Sequence, residues 1–229
     1  MLFPFLDPTF ILLIPAMILA FWAQVKVKST YRKFSQVASA SGMTGAQVAR
    51  KILEMEGVAD VNVEKVDGEL TDHYDPRTKK VCLSAGVFGE RSVAAFGIAA
   101  HEVGHAIQHN RGYAPLQIRH ALLTPANLGS SLAMPLFFVG FIFSSFRILM
   151  DIGIFFFLGA LAFQLITLPV EFDASRRALA ALRGSGMMDS GEVSMARKVL
   201  TSAAWTYVAA AAVSLLHLVR LLVLRGSRD

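Results

Sequence analysis

His101 and His105 stand four residues apart in the string His101-Glu102-Val103-Gly104-His105. On an α-helix that spacing stacks two imidazoles one turn apart on one face, where both can reach a single ion. Glu102 sits beside them, placed to act on a metal-bound water without ligating the metal. The string lies within Ser92 to Gln108, which reads as one Ala-rich helix with Ser92 as N-cap and Arg111-Gly112 as its end. The plain alternative is a pair of core histidines satisfied by local carbonyls.

A catalytic zinc keeps three protein ligands and one open position, so a third ligand must come from elsewhere in the chain. Glu171, in Pro169-Val170-Glu171-Phe172-Asp173-Ala174-Ser175, is the leading candidate. Asp173 competes with it, but two residues along a helix the pair point in nearly opposite directions, so only one should face the metal. His109, one turn beyond His105, is a further competitor. Glu171 has a rival use as an ion-pair partner of Arg176 or Arg177. A tetrahedral oxyanion would need another donor, for which His73, Tyr74, His109, Tyr113 and Arg176 are candidates that spacing does not separate.

The elements that must position these groups are mostly apolar. Of 229 residues, 54% are hydrophobic and only 17% charged, and the mean hydropathy is +0.51. Disorder and collagen are excluded, and Cys82, the single cysteine, excludes an intrachain disulfide and a cysteine-based zinc ribbon. Four runs carry no charged side chain over a length able to cross a bilayer: Pro8 to Val25, Ala121 to Phe146, Ile152 to Val170 and Val199 to Val219. The first reads as a retained anchor, since Asp7 and the lack of a preceding cation do not suit a cleavable signal. Lys26, Lys28, Arg32 and Lys33 follow it, and Arg176 and Arg177 follow the third run, which places both stretches in the cytoplasm. Arg220, Arg225 and Arg228 lie beyond the fourth run and leave its direction open. The histidine string and Glu171 are separated by two runs, an even number, so both should finish on one side of the membrane. The net charge of +5 follows these flanks, and without cations interleaved with aromatics on one face nucleic-acid binding is not expected.

Between the first two runs, Lys28 to Ala40 and Thr44 to Glu56 have helical spacing, and Val61 to Val66, Glu69 to Tyr74 and Lys79 to Ser84 read as strands, the last two joined across Asp75-Pro76-Arg77. The resulting division is an anchor over 1–25, a peptidase part over 26–120, a two-span hairpin over 121–170, a third-ligand helix and polar segment over 171–198, and a last membrane helix over 199–229.

Three strings together resemble the membrane-bound neutral zinc metallopeptidases of the YugP-like type: Leu70-Thr71-Asp72-His73-Tyr74-Asp75-Pro76-Arg77, Ala99-Ala100-His101-Glu102-Val103-Gly104-His105-Ala106-Ile107-Gln108, and Leu168-Pro169-Val170-Glu171-Phe172-Asp173-Ala174-Ser175-Arg176-Arg177-Ala178. The resemblance implies a gluzincin-like zinc peptidase with His101, His105 and Glu171 as ligands. The related HtpX-like peptidases carry an aspartate four residues after the ligand glutamate, where this chain has Ser175. Support for the first histidine must then come from Ser175, Asp173 or another carboxylate.

The expected fold is mainly α, with multiple membrane helices and a small cytoplasmic α+β zinc peptidase unit carrying a short sheet. The expected function is a membrane-embedded zinc endopeptidase that hydrolyses peptide bonds with a Glu102-activated, zinc-bound water, acting on peptides or membrane proteins. A reading of a different class is a membrane adaptor or chaperone-like protein that keeps the metal site and cleaves nothing. A transporter is disfavoured by the absence of ionisable residues within the middle two runs.

Overall fold

Each charge-free run is carried over most of its length by a long helix in a computed structural model that describes residues 8–227, the first beginning in a 3-10 stretch and the second running on past its helix to Phe146; Asp7 and Arg228 lie outside the described residues. A 3-10 stretch, Pro8–Leu13, leads into α1 (Ile14–Phe34), followed by α2 (Gly45–Met55), strands β1 (Asn62–Val66), β2 (His73–Asp75) and β3 (Lys80–Ser84), and the short α3 (Ala85–Phe88). Then come α4 (Val93–Asn110), α5 (Ala114–Ile142), α6 (Ile148–Gly184) and α7 (Ser190–Gly226). Among the described residues, four helices, with α1 counted from Pro8, are long and apolar enough to cross a membrane.

The helix ends follow local chemistry. Thr44 and Gln47 form a reciprocal capping box at the start of α2, the Gln47 amide donating to Thr44 Oγ1 at 3.3 Å and the Thr44 amide to Gln47 Oε1 at 2.8 Å. At α4 the Ala95 amide donates to Ser92 Oγ at 3.2 Å, and the helix stops where Gly112 takes φ +63°, a conformation that costs glycine little.

Two expectations shift. The helix expected over Lys28 to Ala40 is the continuation of α1 and ends at Phe34, because no glycine or proline separates it from the apolar run before it. The expected strand over Glu69 to Tyr74 shortens to His73–Asp75, since Leu70 takes φ +56° and Gly68 φ +100°, turning the chain off the sheet. Glu171 stands inside α6, a helix of 37 residues that continues the third charge-free run.

The chain forms two compact units. One draws on Val25–Gln117 and Pro169–Trp205. Its sheet has the order β1-β3-β2, with β1 parallel and β2 antiparallel to β3, leaving β2 on an edge. Its core joins Val48 and Ile52 of α2, Val81 and Leu83 of β3, Phe96 and Val103 of α4, Leu182 of α6 and Ala196 of α7. Cys82 is buried in β3, as a small apolar residue would be.

The other unit draws on Met1–Gln24, Ile118–Leu168 and Thr206–Asp229. Phe137, Met150, Leu218 and Leu221 make its core, and Gly153 lets α5 and α6 approach so closely that a Cβ there would meet the Ala133 carbonyl oxygen at 2.6 Å, as small residues do between membrane helices. Its outer surface is apolar, with Phe155 70% exposed. The arginines past the fourth run are partnered here: Arg225 Nε donates to Asp151 Oδ1 at 2.8 Å, and the buried Arg220 donates from Nε to Thr9 Oγ1 at 3.2 Å.

Candidate metal centre

The two histidines and Glu171 meet at one point. His101 Nε2 lies 3.2 Å and His105 Nε2 3.7 Å from Glu171 Oε2, and one potential ligand atom from each of the three residues falls within 4.8 Å of the others. Both imidazoles present the same nitrogen. Ligands at about 2.0–2.1 Å from a tetrahedral zinc sit about 3.3 Å apart, so these separations suit such an ion. The donor set also suits it: two imidazoles and one carboxylate, all largely buried.

The approach of the two helices that makes this meeting possible depends on Gly104. A Cβ at that position would lie 2.5 Å from the Ala174 carbonyl oxygen of α6. The residue between the two histidines therefore has a packing role: α6 can lie against α4 only where α4 has no side chain.

A chain of hydrogen bonds fixes the second histidine. Gln108 is fully buried, and its Nε2 donates both protons, to the Val170 carbonyl at 2.8 Å and to Asp173 Oδ2 at 2.9 Å. Its Oε1, 3.0 Å from His105 Nδ1, can then only accept. His105 must carry its proton on Nδ1, which leaves Nε2 unprotonated and facing Glu171. For His101 the corresponding group is Ser175, whose Oγ lies 3.1 Å from Nδ1. Sequence reading named Ser175 among the substitutes for the missing aspartate; it did not assign a role to Gln108, three residues after His105 on the same face of α4.

Asp173 does not join the trio. It accepts from Gln108, from Arg177 Nε at 2.6 Å and from Arg176, so those arginines serve Asp173 and not Glu171. Arg176 is otherwise turned outward, its side chain 78% exposed.

Glu102 is 8% exposed, and burial raises its carboxyl above the usual range, with the charges of Glu171 and Asp72 adding to the effect and those of His101 and His105 opposing it. A carboxyl held high is better able to keep a proton it has taken up. Asp72, in the first string of the resemblance, anchors the sheet beside this helix, accepting from the Ser84 amide at 2.8 Å and from its hydroxyl. Burial raises the Asp72 carboxyl as well.

The remaining candidates lie elsewhere. His109 faces Tyr74, whose hydroxyl lies 2.8 Å from Nδ1; burial first, and then the charges of Asp60 and Asp75, push the Tyr74 phenol up to about 12, so it stays protonated. This pair lines a cavity of about 200 Å³ with Asp60, Lys79 and Ala106. His73 is on the exposed face of β2, its Nδ1 2.8 Å from the Thr71 carbonyl. The Arg177 guanidinium lies over the Tyr113 ring.

A family model described as "Putative neutral zinc metallopeptidase" matches residues 9–226. The chain is also 48% identical over 219 residues, 95% of its own length and 97% of the other's, to a protein of Bacillus subtilis (strain 168) called "Putative membrane protease YugP". No solved structure matches it.

Proposed function

Because the chain belongs to the neutral zinc metallopeptidase family, we propose that it is a membrane-embedded zinc endopeptidase whose gluzincin-like active site works at the cytoplasmic surface. The convergence of His101 Nε2 and His105 Nε2 on Glu171 carries the reading. These three side chains hold the metal. When bound, zinc supplies Lewis acidity, polarising a peptide carbonyl and acidifying a water.

The rest is the work of the chain. Glu102 takes a proton from the attacking water and returns it to the leaving amine, a task served by its burial. Gln108 holds His105 in the tautomer that leaves Nε2 free, and Ser175 positions the His101 ring through Nδ1. An extended peptide can add to the edge of β2 by backbone pairing, and the cavity beside Ala106 and Tyr74 can receive a side chain. The cytoplasmic placement is supported by Lys26, Lys28, Arg32 and Lys33 after the first apolar run and by Arg176 and Arg177 after the third.

Purified protein should contain stoichiometric zinc by elemental analysis and cleave an unfolded substrate such as casein in a chelator-sensitive way. Glu102→Gln should keep the zinc and lose hydrolysis by at least about a hundredfold, while His105→Ala loses both. Zinc without chelator-sensitive cleavage would leave a metal-holding adaptor in place of an enzyme. For the orientation, Asp67→Cys in a Cys82→Ala background should react with a membrane-impermeant thiol reagent only in inside-out vesicles; labelling in intact cells would reverse the topology.

A further inference from the structure

Among the described residues, Lys51, Lys79, Lys80, Arg111, Arg176, Arg177 and Arg225 are spent in ion pairs. Four others gather around one cleft without any such partner among the described residues. Lys26 and Lys33 of α1 and Arg197 and Lys198 of α7 line a cavity of about 350 Å³, and no acidic side chain is among its lining. Its base is packed: Phe34 and Val199 are buried against each other's cluster, so the two helices are held side by side.

The level of the cleft along the helices identifies what could enter it. Lys26 is the first charged residue after the apolar run from Pro8 to Val25, and Lys198 the last before the run from Val199 to Val219. The cleft thus lies where both candidate membrane helices pass from apolar to polar sequence. Lys26, Thr30 and Lys33 follow one another on one face of α1, and Lys198, Thr201 and Trp205 on one face of α7, each stripe about 10 Å long. Trp205 is 40% exposed, an amphipathic ring of the kind found at headgroup depth.

We infer that this cleft binds the phosphate of an anionic phospholipid headgroup, with the cations of α1 and α7 around the charge and Trp205 beside the glycerol region. Lysine and arginine near a membrane surface attract anionic lipid in general; what is proposed here is a built site, in which Lys28 and Arg32 take no part although they belong to the same basic stretch. Those two line a different cavity, with Tyr31 and Glu69. The inference does not depend on peptidase activity.

The chain has two tryptophans, Trp22 and Trp205, so Trp22→Phe leaves Trp205 as the sole reporter. Delipidated full-length protein in a neutral detergent is titrated with short-chain phosphatidylglycerol, phosphatidylcholine, inorganic phosphate and a poly-glutamate peptide, with Trp205 fluorescence as the readout. Phosphatidylglycerol should saturate the signal and phosphatidylcholine should not. Adding Arg197→Gln with Lys198→Gln should weaken that binding about thirtyfold, the ratio expected for two interfacial cations. Lys28→Gln with Arg32→Gln, the same loss of charge outside the cleft, should leave it within about threefold. Equal weakening by both pairs would reduce the effect to diffuse attraction and overturn the site. Saturation by inorganic phosphate as tight as by the lipid would assign the cleft to a soluble phosphate compound, and saturation by poly-glutamate alone would assign it to an acidic segment; either overturns the lipid.

Discussion

Every polar atom of the Gln108 side chain is engaged: both amide protons and the amide oxygen are committed, to Val170, Asp173 and His105. It therefore transmits the position of α6 to a histidine on α4. Supporting groups of this kind commonly account for ten- to a hundredfold in metal affinity. Gln108→Ala should accordingly weaken zinc binding, measured by competition with a chromogenic chelator, by about that factor. Gln108→Glu should not restore it, because a carboxylate oxygen would then oppose the Val170 carbonyl and Asp173. Unchanged zinc affinity in the alanine variant would remove Gln108 from the centre. At this scale the sequence showed which side chains could ligate, because chemistry goes with residue type. It could not show that Asp173 is also taken by Gln108, since that bond depends on which faces of α4 and α6 meet, whereas Arg176 and Arg177 lie three and four residues along the same helix.

At the scale of elements, the contact of α4 with α6 passes through Gly104. Gly104→Ala would gain about 1 kcal/mol of intrinsic helix propensity, whereas inserting a methyl against packed structure costs about 1–3 kcal/mol. The atom it meets is a backbone carbonyl oxygen at 2.5 Å, which cannot rotate aside, so the clash should win. The variant should melt lower by circular dichroism and hold zinc more weakly, and Gly104→Val should do both more strongly. An alanine variant as stable as the parent would show that the helices can part at no cost. The cap at Ser92 was legible in the sequence because it is local. The capping box at Thr44 is equally local, but the extension of α6 beyond Val170 to Gly184 depends on packing that only the fold supplies.

For the whole molecule, a metal gripped by α4 and α6 ties segments that are 66 residues apart between His105 and Glu171. Zinc at about a hundred times its dissociation constant should add about 2.7 kcal/mol of stability, or about 5–10 °C in Tm for a chain of this size. An imidazole must be neutral to ligate, and at His105 the Glu171 carboxylate more than offsets the lowering by burial and holds the pKa above the ordinary histidine value, so the increment should be full well above that value and fade as pH falls through it. Thermal scans with zinc and with chelator at the two ends of that range measure it directly; identical curves would mean that the metal does not couple the two segments. The apolar runs, the histidine pair with its neighbouring acid, and the separate glutamate can all be read along the chain, because hydrophobicity, helical spacing and side-chain chemistry are properties of residues and short stretches. That Glu171 is the acid that meets the histidines, that Ser175 and Gln108 contact the rings, and that α1 and α7 enclose a basic cleft emerges from the folded chain alone. Each of these depends on which surfaces of distant helices come into contact, and close packing fixes that through small residues such as Gly104, whose importance has no local signature.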